Sequence, residues 1–391
     1  MSVNNNQHFV PQFYLRKFSN DGSSINLVTR KAGRVVKGAS IKGQCSKRRL
    51  YGSGPFLDDF LTYLESNVSE LIGVFGGQTP RFAPNQADVE KFLCFLTTQI
   101  YRTPKSNVIG EHFDKSFGDI LARGSPEGYE FPDDIAGSRM TLERMCRMAI
   151  FFYPHLSDLM LVRVKAPKGC EFVTSDSPII LANKAGEQER LPNSLGLASS
   201  GLIITYPISP RFCLMLYDGG VYKFRHSSDM TVFSNSADVS KINRLQYLNC
   251  SESIYFKDER ASDVSRLMRC FDERPDSLVE LTEYISEGRS SDGEIYREFS
   301  DKTDMGHGTS SLVLFRQTGI EAKLNCSFIS YRSRFQTYDS GSASGFFRNE
   351  YMTDLVEEYV AAMKTRKAQP FEFQKFVSSR RTPPRPFDRP Y

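Results

Sequence analysis

His8, Gln12 and Arg16 sit among aromatics in the opening stretch NQHFVPQFYLRKFS (residues 6–19). A neutral imidazole at His8 serves as a general base or metal ligand, and a protonated one holds phosphate beside a helix N-terminus. The plainer alternative is a core histidine, hydrogen-bonded and pinning the chain end. A second candidate is Asp176 in EFVTSDSP (171–178), where a strand runs into a turn. Such a junction holds a carboxylate rigidly while exposing it; the alternative is an Asx-turn around Ser177 and Pro178. Gln99 and Arg102 fall at i, i+3 on one helix and reach the same point. Arg102 either clamps a phosphate or carboxylate or pairs with Glu65 across two packed helices. Together with Asn243 these residues read as one polar site or as one buried network. In the site reading, His8 and Asp176 supply acid–base chemistry or bind a metal. Gln12, Arg16, Gln99, Arg102, Ser175 and Asn243 then hold a phosphate-bearing substrate.

Cofactor motifs are missing: there is no HExxH, P-loop, GxSxG or dinucleotide-binding fingerprint in its required context. A divalent metal therefore has no recognisable ligand motif. The histidine-containing runs HFDKSFGD (112–119) and HGTSS (307–311) are isolated and read as structural or surface segments. Eight cysteines without a CxxC or paired spacing argue against a zinc ribbon and a disulfide scaffold. Several lie in apolar runs, as buried thiols do in a reducing cytoplasm. The first thirty residues carry no apolar secretory core, and no apolar run is long enough to span a bilayer. The expectation is a cytoplasmic protein with no membrane partner.

The net charge of +4 over 391 residues decides little, but its distribution is uneven. Between Gly22 and Leu57 there is no acidic residue, while Arg30, Lys31, Arg34, Lys37, Lys42, Lys47, Arg48 and Arg49 all fall there. Cations in that density track a phosphate backbone, and Tyr51 stands ready to stack on a base. Arg380, Arg381, Arg385 and Arg389 of the C-terminal tail add to the same charge. The alternative is a solvated basic face balanced by the acidic 275–305 region.

The elements that must position these groups follow from periodicity. Pro11 suits the first position of a short helix, which places Tyr14 and Phe18 on one face and Gln12 and Arg16 on another. SINLVTRKAGRVVKG reads as a β-hairpin. Helical spacing of apolar residues predicts helices over about 56–75 and 86–102, then near 105–122 and 139–152. Strands are expected at 159–166, 171–175, 178–182, 201–209, 212–218 and 253–256, with a helix over 237–248. Residues 275–310 read as polar, with EGRSSDGE and MGHGTSS as loops. A strand at 324–331 and a helix at 350–366 follow. The sum is an α+β protein: an N-terminal hairpin and helical layer, then a mostly antiparallel sheet with flanking helices. The expected division is a core over 1–258 (1–155 and 156–258), a mixed extension over 259–372, and a basic, proline-rich tail over 373–391.

Five segments in order carry a family resemblance: the opening stretch, QIYRTP (99–104), FVTSDSPIIL (172–181), YPISP (206–210) and INRLQYLNCSESIYF (242–256). Over roughly residues 6–258 the chain resembles the bacterial domain of unknown function 4238. Positions matching its motifs are His8, Pro11, Gln12, Tyr14, Leu15, Phe18, Glu65, Gln99, Arg102, Ser175, Asp176, Pro178, Pro207, Pro210 and Asn243. The resemblance implies a soluble bacterial protein of accessory-gene character, without a settled activity. Joined to the polar constellation and the basic segment, it gives the expectation of a nuclease-like hydrolase, an effector of a toxin or phage-defence module. The alternative is a non-catalytic module that binds nucleic acid, a ligand or a partner protein.

Overall fold

The computed structural model describes residues 6–51, 55–77, 85–108, 110, 142–185, 195–270, 280–290, 293–298, 311–316, 324–333, 338–339 and 346–379. The opening stretch forms β1 (Asn6–His8), α1 (Gln12–Leu15) and a 3-10 turn (Arg16–Phe18). Pro11 caps α1 one residue ahead of the expected position, its ψ of 141° still extended. The hairpin is β2 (Ser24–Thr29) and β3 (Arg34–Ser40), after which β4 (Ser46–Arg48) pairs antiparallel with β1. Helices α2 (Pro55–Phe75), α3 (Gln86–Tyr101) and α4 (Leu142–Phe152) make the helical layer. Asn85 starts α3 by accepting from the Asp88 N–H, as its side chain allows.

The strand-rich half runs β5 (Met160–Lys165), β6 (Thr174–Ser175), β7 (Ile180–Ala182), β8 (Ile203–Ser209), β9 (Phe212–Tyr217), β10 (Tyr222–Phe224) and β11 (Thr231–Phe233). Helix α5 (Ser236–Asn249) and strand β12 (Ser253–Phe256) close it. One sheet has the order β11-β5-β9-β8-β7 and is antiparallel except where β11 joins β5 in parallel. The other, β3-β2-β12-β6, is wholly antiparallel and ties the N-terminal hairpin to the TSDSP segment.

Both faces of the five-stranded sheet are buried, which explains why its strands read as continuous apolar runs rather than alternating ones. Ile204, Tyr206, Leu214 and Leu216 point into a core shared with Tyr14 and Phe18, with Val68 and Leu71 of α2, and with Phe92 and Phe95 of α3. Ile203, Cys213 and Met215 point into a second core with Val239, Ile242 and Leu245 of α5.

The 275–310 segment differs from expectation, whereas the strand expected within 324–331 and the helix expected over 350–366 are both present. Within 275–310, β13 (Glu280–Ser290) and β14 (Gly293–Glu298) are strands, and β15 (Ser311–Arg316) completes their sheet. The polar EGRSSDGE sequence hid a hairpin because its residues are held by pairing between β13 and β14 rather than by local propensity, while β15 pairs only with the preceding Glu280–Ile285. The rest of the extension is woven into both cores. Strand β16 (Ile329–Tyr331) pairs with β10, and Leu324, Cys326 and Phe328 enter the second core. Helix α6 (Glu350–Lys364) sends Leu355, Val356 and Tyr359 into the first. The segment expected as tail starts with a helix, α7 (Phe373–Ser379), whose Phe373 is fully buried. Most of the expected 105–122 helix, both isolated histidine runs apart from Ser311, and the tail arginines lie outside the described residues.

Candidate functional site

A cleft of about 380 Å³ opens between the N-terminal segment and α2. Its N-terminal wall is His8, Gln12, Phe13 and Arg16; its opposite wall is Asp58, Leu61, Thr62 and Glu65, with Gln7 and Tyr51 between them. The α2 residues sit at i, i+3, i+4 and i+7, one continuous face of that helix. Gln7 fastens the walls together. Its Nε2 donates to both Asp58 carboxylate oxygens (3.1 and 2.9 Å), and its Oε1 accepts from the Tyr51 N–H (2.8 Å). Tyr51 itself is buried at the floor, its hydroxyl donating to the His8 carbonyl at 3.3 Å. It braces β1 and presents no free ring face for a base, contrary to the stacking role expected of it.

His8 is half-buried, and its Nε2 lies 3.3 Å from the Lys42 carbonyl. A carbonyl only accepts, so Nε2 carries the hydrogen and Nδ1 holds the free lone pair. Burial lowers the His8 pKa, and the nearby Arg102 guanidinium acts in the same direction, against the Lys42 carbonyl and Glu65. The imidazole is thereby kept neutral and available as an acceptor or base.

Gln99 and Arg102 do act together, behind the cleft. The Phe9 carbonyl accepts from Gln99 Nε2 (2.8 Å), Gln99 Oε1 accepts from Arg102 Nε (2.8 Å), and Arg102 Nη1 pairs with Glu65 Oε1 (2.8 Å). Of the two readings of Arg102, the ion pair with Glu65 is the one present. The guanidinium is 1% exposed, and its Nη2 has no hydrogen-bond partner among the described residues. The relay fixes one oxygen of Glu65, which lines the cleft, and Oε2 has no partner among the described residues.

Asp176, Ser175 and Asn243 belong to a different network, and none of them lines the cleft. The Asp176 carboxylate accepts from the backbone N–H groups of Ser251 (2.8 Å), Glu252 (2.5 Å) and Ser253 (3.1 Å). Burial pushes its pKa up to about 6 despite these donors. On α5, Asn243 holds the Glu171 carbonyl and the Val173 N–H, while Gln246 holds the Pro178 carbonyl and accepts from Ser175 Oγ. Asn249 holds the Ser177 carbonyl. These amides at i, i+3 and i+6 form a ladder along EFVTSDSP that satisfies backbone groups outside the two-residue strand β6. The acid–base assignment of Asp176 and the substrate-binding assignments of Ser175 and Asn243 are therefore replaced by structural contacts: their polar atoms are spent on the chain itself.

The basic residues occupy two places. Lys31 and Arg34 are exposed and Arg30 half-exposed at the tip of the β2–β3 hairpin, where Lys37 pairs with Glu259. Lys42, Lys47, Arg48 and Arg49 are exposed beside the cleft, and none of these four takes part in an ion pair among the described residues. The β1–β4 ladder sets Lys47 opposite Gln7 and Ser46 opposite His8. Among the described residues, no group of His, Cys, Asp or Glu is placed to hold a metal ion, and no helix is long and apolar enough to cross a membrane.

Residues joining the candidate motifs converge at Tyr14. Its hydroxyl bonds the Pro207 carbonyl (2.6 Å) and Thr174 Oγ1 (2.5 Å), and its ring stacks on Tyr206 at 5.0 Å. Segments from the opening stretch, FVTSDSP and YPISP thus meet at one phenol. The model of the family described as a protein of unknown function, DUF4238, matches residues 6–260. The chain belongs to the DUF4238 family. No curated protein and no solved structure matches it. In this DUF4238 chain, Gln7, Asp58 and Thr62 are cleft residues that reading by motif does not reach. Two signals point to them: Gln7 is adjacent to His8, and Asp58 stands seven residues before Glu65, on the same helix face.

Proposed function

We propose that the protein binds nucleic acid across the β1–β4 face, with the cleft as its recognition pocket. The observation that supports this reading is the adjacency of Lys42, Lys47, Arg48 and Arg49, exposed and outside any described ion pair, to a polar cleft lined by His8, Gln12 and Arg16. Exposed unpaired cations surrender counterions to a phosphate backbone, and a pocket beside them reads the bases. Fluorescence anisotropy with labelled single- and double-stranded oligonucleotides tests it. Neutralising Lys47, Arg48 and Arg49 together to Ala should weaken binding by about tenfold or more at moderate salt and flatten its salt dependence by up to three phosphate contacts. Unchanged affinity in that variant overturns the reading.

Hydrolysis of the bound chain is a second reading, favoured by the neutral His8 with Nδ1 free beside Glu65. There His8 takes the proton of water as it attacks phosphorus and returns it to the leaving oxygen, while Arg16 balances the charge. Incubation with tRNA, ssDNA and dsDNA, with and without Mg²⁺ or Mn²⁺, decides it: cleavage lost in His8→Ala, but not in Asp176→Asn preparations that remain folded, supports it. Absence of cleavage under every condition removes it.

A further inference from the structure

The cleft is richer in acceptors than in donors. Glu65 Oε2 has no partner among the described residues, and Asp58 spends only two of its lone pairs, both on Gln7. Thr62 Oγ1 gives its hydrogen to the Asp58 carbonyl (2.8 Å) and can only accept further. His8 Nδ1 is likewise an acceptor. On the donor side stand Gln12 Nε2 and the exposed Arg16, whose Nη2 holds Gln12 Oε1 at 3.3 Å and so turns the Gln12 amide nitrogen toward other partners. Phe13 lines the cleft, its half-buried ring packed against Phe95.

From this complement we infer that the cleft takes a single guanine base from a single-stranded nucleic acid, a step that rests on the nucleic-acid reading above. Guanine alone among the common bases carries two adjacent donors, N1–H and N2–H₂, on its Watson–Crick edge. They meet the carboxylate wall of α2 at Glu65, and O6 takes a hydrogen from Gln12. Adenine turns its N1 lone pair toward Glu65, cytosine turns N3 and O2, and uracil or thymine flanks a single N–H with two carbonyls. Each of those places acceptor against acceptor in a partly dry site, which discriminates by repulsion as well as by lost bonds. The volume is that of a small-ligand pocket, within the ~300–1,000 Å³ such sites span. In a duplex the guanine edge is already paired, so the base must come from a single strand or be turned out of the stack. The phosphates on either side then lie on Lys42, Lys47 and Arg48. The Phe9–Gln99–Arg102–Glu65 relay is the positioning device: it holds Glu65 in one rotamer so that Oε2 faces the base.

Anisotropy titration of the full chain with thymidine oligomers bearing one central G, inosine, A or C reads this directly. The guanine oligomer should bind about tenfold tighter than the adenine or cytosine ones. Inosine, lacking N2–H₂, should fall between. Gln12→Leu, which leaves the buried relay intact, should lower affinity for the guanine and inosine oligomers and leave adenine unchanged. Glu65→Gln should reduce the guanine preference to about twofold or less, with a melting curve confirming that the variant is folded. Equal affinity for all four oligomers, with binding still lost on neutralising Lys47, Arg48 and Arg49, overturns guanine selection while leaving the basic face standing. No binding of any oligomer overturns both.

Discussion

Three backbone N–H groups converge on the Asp176 carboxylate, and removing it strands all three in a buried site. Asp176→Ala should therefore cost about 3 kcal/mol or more of stability, since each buried N–H left without an acceptor costs about 1–3 kcal/mol. Chemical denaturation would register this as a lower midpoint, while the folded fraction should bind oligonucleotide as before. His8→Ala should do the reverse: a change of less than about 1 kcal/mol, since its side chain makes one long hydrogen bond, with the effect falling on ligand affinity. Two residues that look equivalent as candidates part company here for a physical reason. The residue type and its neighbours in sequence mark both as polar groups at well-held places. Whether the polar atoms face outward or are consumed by backbone depends on α5, whose amides arrive from some seventy residues away. Gln99 and Arg102 are legible as a pair because i, i+3 spacing is local, and Glu65 as their partner because two helices in sequence tend to pack.

At the level of elements, the C-terminal helix α7 is held by one buried acid on α3. Glu90 accepts from the Phe373 and Gln374 N–H groups (2.9 and 3.0 Å) and from the Tyr153 hydroxyl (3.0 Å). Tyr153 in turn accepts from the Phe371 N–H, and Tyr359 from the Glu372 N–H. Glu90→Ala removes the acceptor from the first turn of α7 and should release it. Limited proteolysis should then cut after Lys364 or Lys367 several times faster than in the parent chain, with residues before α6 still protected. Strand positions in the five-stranded sheet are readable because burial on both faces leaves a continuous apolar run. The β13–β14 hairpin is not, since the residues around its turn are polar and only their pairing across the β13–β14 ladder makes them strands.

Across the whole molecule, the junction of α4, the following 3-10 turn (Tyr153–Leu156) and the segment before α6 carries a pH response. Arg348 is 5% exposed, pairs with Asp158 at 3.0 Å and donates to the His155 carbonyl. Burial, aided by Arg348, pulls the His155 pKa down to about 4. Its folded value lies below the unfolded one, so the folded state resists protonation and stability falls as pH drops from about 6.5 to 4. The loss is at most about 3 kcal/mol over that window. Asp176 works against it: its folded value near 6 exceeds the unfolded one, so its contribution grows as pH falls from 6 toward 4. Melting curves of the parent and His155→Gln separate the two. The parent should lose stability relative to the variant on acidification, and parallel pH profiles would rule the assignment out.

The family region spans residues 6–260, yet Leu324, Cys326 and Phe328 complete one core and Leu355, Tyr359 and Phe373 complete the other. This has a consequence on the ribosome. When residue 260 is polymerised, both apolar faces of the central sheet still lack part of their cover, and about 120 residues remain to be made before α7 is complete. At ~5–20 residues per second that interval lasts roughly 6–24 seconds. The nascent chain spends it with Ile203 and Ile204, on opposite faces of one strand, facing unfinished layers, and closure waits for α7 to leave the exit tunnel.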